Sequence, residues 1–150
     1  MNKLPALAAA LAALLPCASL DACEGLVASS GWIRQPPPGM SHAAGYLTLS
    51  NEGQHAVVID GVSSPDFASA MLHETRYNDG RAQMRHVHTL EIAPGEHVEA
   101  RPGGLHLMLM QPRVELASDV LVEVDIACST GEPLATWLVV RRTPPSPASD

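Results

Sequence analysis

The chain has 150 residues, of which 46% are hydrophobic and 17% are charged, and this composition is ordinary for a single folded domain. The formal net charge of −7 argues against a nucleic acid partner, because binding to phosphates needs a basic face. Lys3 is the only lysine, and the arginines are scattered apart from the pair Arg141 and Arg142.

The N-terminus has the layout of a secretory signal peptide. Lys3 precedes an apolar run over residues 4–15, which is too short for a permanent membrane anchor, and small residues follow around Cys17. We therefore expect residues 1–22 to be removed on export. A lipid anchor on Cys17 is the alternative, although Pro16 directly before it is a poor fit to a lipoprotein cleavage site.

Two cysteines remain once the signal peptide has been removed. Cys23 and Cys128 are an even number in an oxidising compartment, where they could form one disulfide. The alternative is two unpaired thiols, one of them at a frayed terminus.

The rest of the chain consists of short apolar or β-branched runs separated by turn signals, with no helical periodicity over three turns. About seven to nine strands at this spacing predict an all-β Greek-key sandwich or barrel with antiparallel strands over residues 23–142. The sequence Asn78-Asp79-Gly80 is the strongest hairpin signal. Residues 143–150 are proline-rich, and we expect them to form a disordered tail. The runs from which these strands would form lie at residues 26–34, 44–50, 56–62, 67–75, 83–88, 89–92, 97–100, 105–110, 120–127 and 136–142.

Histidine and methionine cluster between residues 71 and 110, which contain five of the seven histidines and four of the five methionines after the initiator. Side chains alternate between the two faces of a strand, so each of three predicted strands would place histidine and methionine on one face. These groups are Met71 with His73, Met84 with His86 and His88, and His106 with Met108 and Met110.

A mixed histidine and methionine surface indicates copper. The thioether of methionine is a soft, neutral ligand that selects Cu(I), whereas imidazole suits both Cu(I) and Cu(II). Unlike a thiol, a thioether cannot be lost to disulfide formation in an oxidising compartment, although it can be oxidised to the sulfoxide.

The spacing of four of these residues matches a known pattern. Ten residues separate His73 from Met84, twenty-one separate Met84 from His106, and one separates His106 from Met108. This arrangement resembles the periplasmic copper chaperone family PCu(A)C, whose motif is H-x10-M-x21-H-x-M. Similarity extends to LHET at 72–75, RPGGLHLMLM at 101–110 and AGYLTLSN at 44–51, and therefore to nearly the whole exported chain.

The resemblance implies a cupredoxin-like β fold with one Cu(I) at an exposed site, whose ligands here would be His73, Met84, His106 and Met108. It also implies a monomeric periplasmic carrier that delivers copper to the centres of cytochrome c oxidase, or to another copper chaperone, and catalyses no reaction. Some members have a C-terminal extension rich in histidine and methionine that is implicated in Cu(II) binding. This chain ends in SPASD instead, so that feature is not transferred.

Other residues near the predicted site have two interpretations each. His86 and His88 could form a secondary Cu(II) cluster, or simply a solvated strand face, which we favour. Packing is the simpler role for Met71 and Met110. The remaining expectations are that Met40 and His42 lie in a loop that could lean over the site, that His55 and His97 are at the surface, and that Trp32, Tyr46 and Trp137 are in the core.

Rival functions remain open at the level of sequence. No nucleophile motif such as G-x-S-x-G is present, so an enzyme is not expected. A blue-copper electron carrier needs a cysteine ligand with two histidines, but no histidine or methionine closely follows Cys128. The alternatives to a chaperone are a periplasmic copper buffer for metal resistance and a β-sandwich interaction module that binds no metal.

Overall fold

The computed structural model describes residues 23–145, and this part of the chain is all-β and contains no helix, including none that could cross a membrane. The predicted signal peptide and the last five residues of the predicted tail lie outside the described residues. The ten strands are β1 Leu26–Arg34, β2 His42–Asn51, β3 Val57–Ser63, β4 Phe67–Asn78, β5 Arg81–His86, β6 Leu90–Ile92, β7 His97–Glu99, β8 Leu105–Pro112, β9 Leu121–Cys128 and β10 Leu134–Arg141.

Each strand lies close to a run predicted from the sequence, but the total of ten exceeds the expected range. All ten runs form strands, including β6 and β7, which have three residues each and pair with different neighbours, β3 and β2 respectively. The other notable shift is in β5, which begins at Arg81 and ends at His86 rather than covering residues 83–88.

The strands form one sheet in the order β5-β4-β8-β2-β1-β10-β9-β3-β6, with β7 paired to β2. The paired strands are antiparallel, as expected, with one exception: β1 and β10 run parallel, with Trp32 opposite Val139 and Arg34 opposite Arg141. This pairing joins the first and last strands of the domain. Local alternation of residues indicates where strands are but carries no information about such distant partners.

The core is formed by the inward face of each strand. Leu107 and Leu109 of β8 are fully buried, and Leu138 and Val140 of β10 are also fully buried. In each strand, the residues that alternate with these buried residues point to the opposite face, because successive side chains of a strand alternate between its two faces. The core is therefore built by alternation, which leaves the opposite face of β8 available for His106 and Met108.

The aromatic residues follow the same alternation. Trp32 and Tyr46 are buried and their rings pack 4.7 Å apart, as expected of core aromatics. Trp137 is 56% exposed, so its predicted place in the core is wrong. It precedes the inward-facing Leu138 and pairs with Glu123, which puts it on the outer face of β10.

A two-residue turn joins β4 to β5. Asp79 and Gly80 both have positive φ angles, 49° and 74°, as the hairpin turn of type I′ requires. Asn78 and Arg81 on either side are paired, so every later pair of the ladder is determined, including Thr75 with Met84 and His73 with His86. The turn therefore determines which residue of β5 pairs with each residue of β4.

A disulfide joins Cys23, just before β1, to Cys128 at the end of β9, with a Cα–Cα distance of 5.5 Å. The structure therefore contains the disulfide that was considered possible for an exported protein, and the two cysteines are not unpaired thiols. Cys23 is almost completely buried, and the two residues are 105 positions apart in the sequence. In the chain-entropy model a cross-link over so long a loop strongly restricts the unfolded chain.

We expect replacement of both cysteines by alanine to lower the free energy of unfolding by about 2–5 kcal/mol, the usual cost of removing such a disulfide. Urea denaturation of the variant and of the oxidised wild type measures this difference. Reduction should destabilise the wild type but leave the variant unchanged. Equal stability of the two oxidised proteins would contradict a cross-link between Cys23 and Cys128.

Candidate metal centre on strands β4, β5 and β8

The predicted ligands lie on three strands that are neighbours in the sheet, in the order β5-β4-β8. His73 is in β4, Met84 is in β5, and His106 and Met108 are in β8. The ladders on both sides of β4 are antiparallel, and their registers determine which of these side chains share a face.

His73 is the centre of the arrangement, because it is directly opposite His106 on one side and His86 on the other. The ring centroids of His73 and His106 are 6.0 Å apart in an edge-to-face arrangement, and those of His73 and His86 are 5.6 Å apart. Three imidazoles therefore form a row across three strands.

The two predicted methionine ligands lie on opposite sides of this row. Met84 is opposite Thr75 and Met108 is opposite Met71, so each methionine is one diagonal step from His73. Diagonal neighbours on a sheet face are within reach of long side chains. The sheet registers thus bring all four predicted ligands together on one face, centred on His73.

His106 is buried and its ring is held by a backbone hydrogen bond. Its Nδ1 lies 3.0 Å from the carbonyl oxygen of Gly104, which can only accept, so Nδ1 carries the proton and donates. The same carbonyl accepts a hydrogen bond from the Thr75 amide at 3.1 Å. This leaves Nε2 of His106 with its lone pair available for a metal, which is how partners of a ligating histidine usually act.

His73 presents a buried nitrogen that lacks a partner. Its Nδ1 makes no hydrogen bond among the described residues, and an unpaired buried polar atom is unfavourable. Burial lowers the pKa of His73, and the neighbouring His106 and His86 lower this pKa further. The ring is therefore kept neutral, which is the state that binds a metal. A metal ion would also satisfy the unpaired nitrogen.

A metal site on this face would need thioether donors. Within residues 23–145, no group of three or more histidine, cysteine, aspartate or glutamate side chains is arranged to hold a metal ion. The described donors therefore fit a mixed set of two imidazoles and two thioethers and not a site of hard ligands, such as one for Mg²⁺ or Ca²⁺.

The predicted ligands differ greatly in exposure. His106 is only 6% exposed, whereas Met84 is 62% exposed in the strand at the end of the sheet. The site therefore has a fixed inner side on β8 and an open outer side on β5.

The flanking residues separate into two groups. Met71 lies opposite Met108 on the face of the site, and Met110 is opposite His42, one alternate position further along β8 and β2. Met40 instead borders a groove formed with the proline loop and Val114, which none of the four predicted ligands lines. The possibility that Met40 leans over the site is therefore not supported. The prediction that His42 lies in the loop is wrong, because His42 is the first residue of β2, where pairing with Met110 of β8 extends the strand. His55 and His97 are exposed, as predicted.

Sequence reasoning missed two features of the site. The first is Gly104, whose carbonyl oxygen accepts hydrogen bonds from the ring of His106 and from the backbone amide of Thr75 in β4. The only sequence feature that pointed to this role is that Gly104 lies two residues before His106. The second is the cross-strand pairing of His86 with His73. It could have been predicted by counting residues outward along both strands from the two-residue turn at Asp79-Gly80.

Solved structures with the same fold include the copper-bound PCuAC domain of PmoF2, with a TM-score of 0.67 and 20% identity over 82% of this chain and 97% of that one. The Cu(I) form of DR1885 from Deinococcus radiodurans has a TM-score of 0.63 and 27% identity, over 81% of this chain and 80% of that one. The expected all-β, cupredoxin-like barrel of PCuAC domains is thus confirmed.

The family model described as "Putative lipoprotein LpqE-like" matches residues 26–140. A curated relative, "Putative lipoprotein Lxx21020" of Leifsonia xyli subsp. xyli (strain CTCB07), is 28% identical over 109 residues, 72% of this chain. The match spans 64% of the length of that relative. The chain belongs to the LpqE-like family of PCuAC-type proteins.

Proposed function

We propose that the protein carries one Cu(I) ion on His73, Met84, His106 and Met108 and passes it to another protein by ligand exchange, without catalysing a reaction. The observation that carries this proposal is the convergence of the four residues of the H-x10-M-x21-H-x-M pattern on one sheet face around His73. The copper-bound state of the PmoF2 domain and the Cu(I) state of DR1885 support it.

The donor set explains the choice of ion. Two thioethers favour Cu(I) over harder ions, and neutral imidazoles complete the set without adding charge. The lowered pKa of His73 favours its neutral, metal-binding form, and the hydrogen bond from Nδ1 of His106 to Gly104 leaves Nε2 of His106 as the nitrogen that can bind the metal. Neither thioether has to lose a proton before it binds.

The uneven exposure of the ligands suits transfer. Met84 is largely exposed, so a donor atom of an acceptor protein can replace its sulfur first while the buried His106 still holds the ion. A site closed by thiolates would favour retention instead. The arrangement therefore fits a carrier, which must release its ion to a partner.

We further propose that the protein acts in the periplasm as a monomer and delivers copper to cytochrome c oxidase, directly or through another copper chaperone. The family and the Leifsonia relative are both described as lipoproteins, which supports an exported protein. We propose simple export after removal of residues 1–22, and lipid attachment at Cys17 is the alternative.

Replacing Met84 and Met108 by isoleucine should weaken Cu(I) binding more than about tenfold each, because loss even of a group beside a ligand usually has that effect. Met84 is exposed, so its replacement should change the free energy of unfolding by less than about 0.5 kcal/mol. Competition with a chromophoric Cu(I) chelator measures the affinity, and thermal unfolding measures the stability.

Met110→Ile is the matched control, because Met110 is the next residue of β8 on the same face but is not in the motif. It should retain wild-type Cu(I) affinity. Undiminished affinity in both the Met84→Ile and Met108→Ile variants would overturn the ligand assignment.

Transfer separates a chaperone from a copper buffer. The Cu(I)-loaded protein, mixed with the copper-free soluble domain of a cytochrome c oxidase subunit, should give up its copper, and the copper content of the two separated proteins measures this. Retention of the ion in the presence of an acceptor with free sites would instead favour the role in metal resistance.

A further inference from the structure

We propose that His86 and His88 form a second metal site, which binds Cu(II) beside the Cu(I) site. The two residues are at the end of β5 and just after it, and neither belongs to the four-residue motif. The proposal does not depend on the Cu(I) function, because it rests on this imidazole pair alone.

The two rings are already close together. Their centroids are 4.3 Å apart with an angle of 51° between the ring planes, which is the shortest separation among the packed histidine pairs of the described chain. Both residues are exposed, so a hydrated ion can reach them. Such a pair needs little rearrangement to offer two nitrogen atoms to one ion.

The backbone between them explains the arrangement. The amide of Val87 donates a hydrogen bond of 2.8 Å to the carbonyl oxygen of Leu72, so the β4–β5 ladder continues one residue beyond β5. Val87 packs against the hydrophobic core from this position. Its two neighbours, His86 and His88, therefore both point away from the core, as alternation along an extended chain requires.

The chemistry of the pair favours a divalent ion. Imidazole binds Cu(II), Ni(II) and Zn(II), and the order of affinities for such sites places Cu(II) first. The pair contributes no thioether, so it lacks the feature that selects Cu(I). The two sites would thus differ in the oxidation state of the copper that they hold.

The surroundings can accept a partly hydrated ion. His86 and His88 line a groove of about 230 Å³ together with Asp60 and Met71. No third histidine, cysteine, aspartate or glutamate among residues 23–145 completes a set of three around one point, so water would supply the remaining ligands. Asp60 contributes a negative charge to the same groove, which favours a cation.

The test is a Cu(II) titration of the mature protein, followed by electron paramagnetic resonance. The wild type should bind Cu(II) with couplings from two imidazole nitrogens. His88→Ala should weaken this binding by about tenfold or more, and the double variant His86→Ala/His88→Ala should abolish it. His97→Ala is the control, because His97 is exposed on β7, which pairs with β2 and not with β4 or β5, and it should behave as wild type.

A Cu(I) competition titration on the same variants separates this proposal from the Cu(I) site. His88→Ala should keep its wild-type Cu(I) affinity. Wild-type Cu(II) affinity and spectrum in the double variant would overturn the second site and place Cu(II) elsewhere, for example on His73 and His106. Absence of Cu(II) binding to the wild type would also overturn it, leaving the pair as a solvated surface.

Discussion

The antiparallel register of β4 with its two neighbours is the constraint on which the site depends. His73 is opposite His86 and His106 only because the ladders are aligned as they are, and a shift of one residue in either strand would turn its histidines toward the core. The positive φ angles of Asp79 and Gly80 set one register. The burial of Leu72 opposite Leu107 sets the other, because both must face the core.

The same alternation places core residues on one face of β8 and predicted metal ligands on the other. On one face, Leu107 and Leu109 are completely buried and contribute to the core. On the other, His106 and Met108 remain available for binding, and the hydrogen bond from His106 to Gly104 orients the ring without using the nitrogen that a metal would need. The position of β5 at the end of the sheet then leaves Met84 open to solvent. A rigid inner side and an open outer side thus result from strand order.

Much of this could be predicted from the sequence, and the exceptions have a common cause. Alternation and turn residues indicated a run near each of the ten strands, although only seven to nine strands were expected, and the motif supplied the candidate ligands. The parallel contact of β1 with β10 was not predictable, since no local pattern specifies partners so far apart. Trp137 was misplaced because hydrophobicity alone was used, although its neighbour Leu138 shows which positions of β10 face inward. The proximity of His86 to His73 required the register of the hairpin.

The proposed carrier function requires that Cu(I) is bound by nitrogen and sulfur together on His73, Met84, His106 and Met108. X-ray absorption of the protein loaded with Cu(I), with the stoichiometry established by chelator competition, tests this most directly. We predict one bound equivalent with both nitrogen and sulfur scatterers around the copper. Failure to compete for Cu(I), or a copper environment without sulfur, would contradict it and leave a β-barrel whose histidines and methionines share a face for another reason.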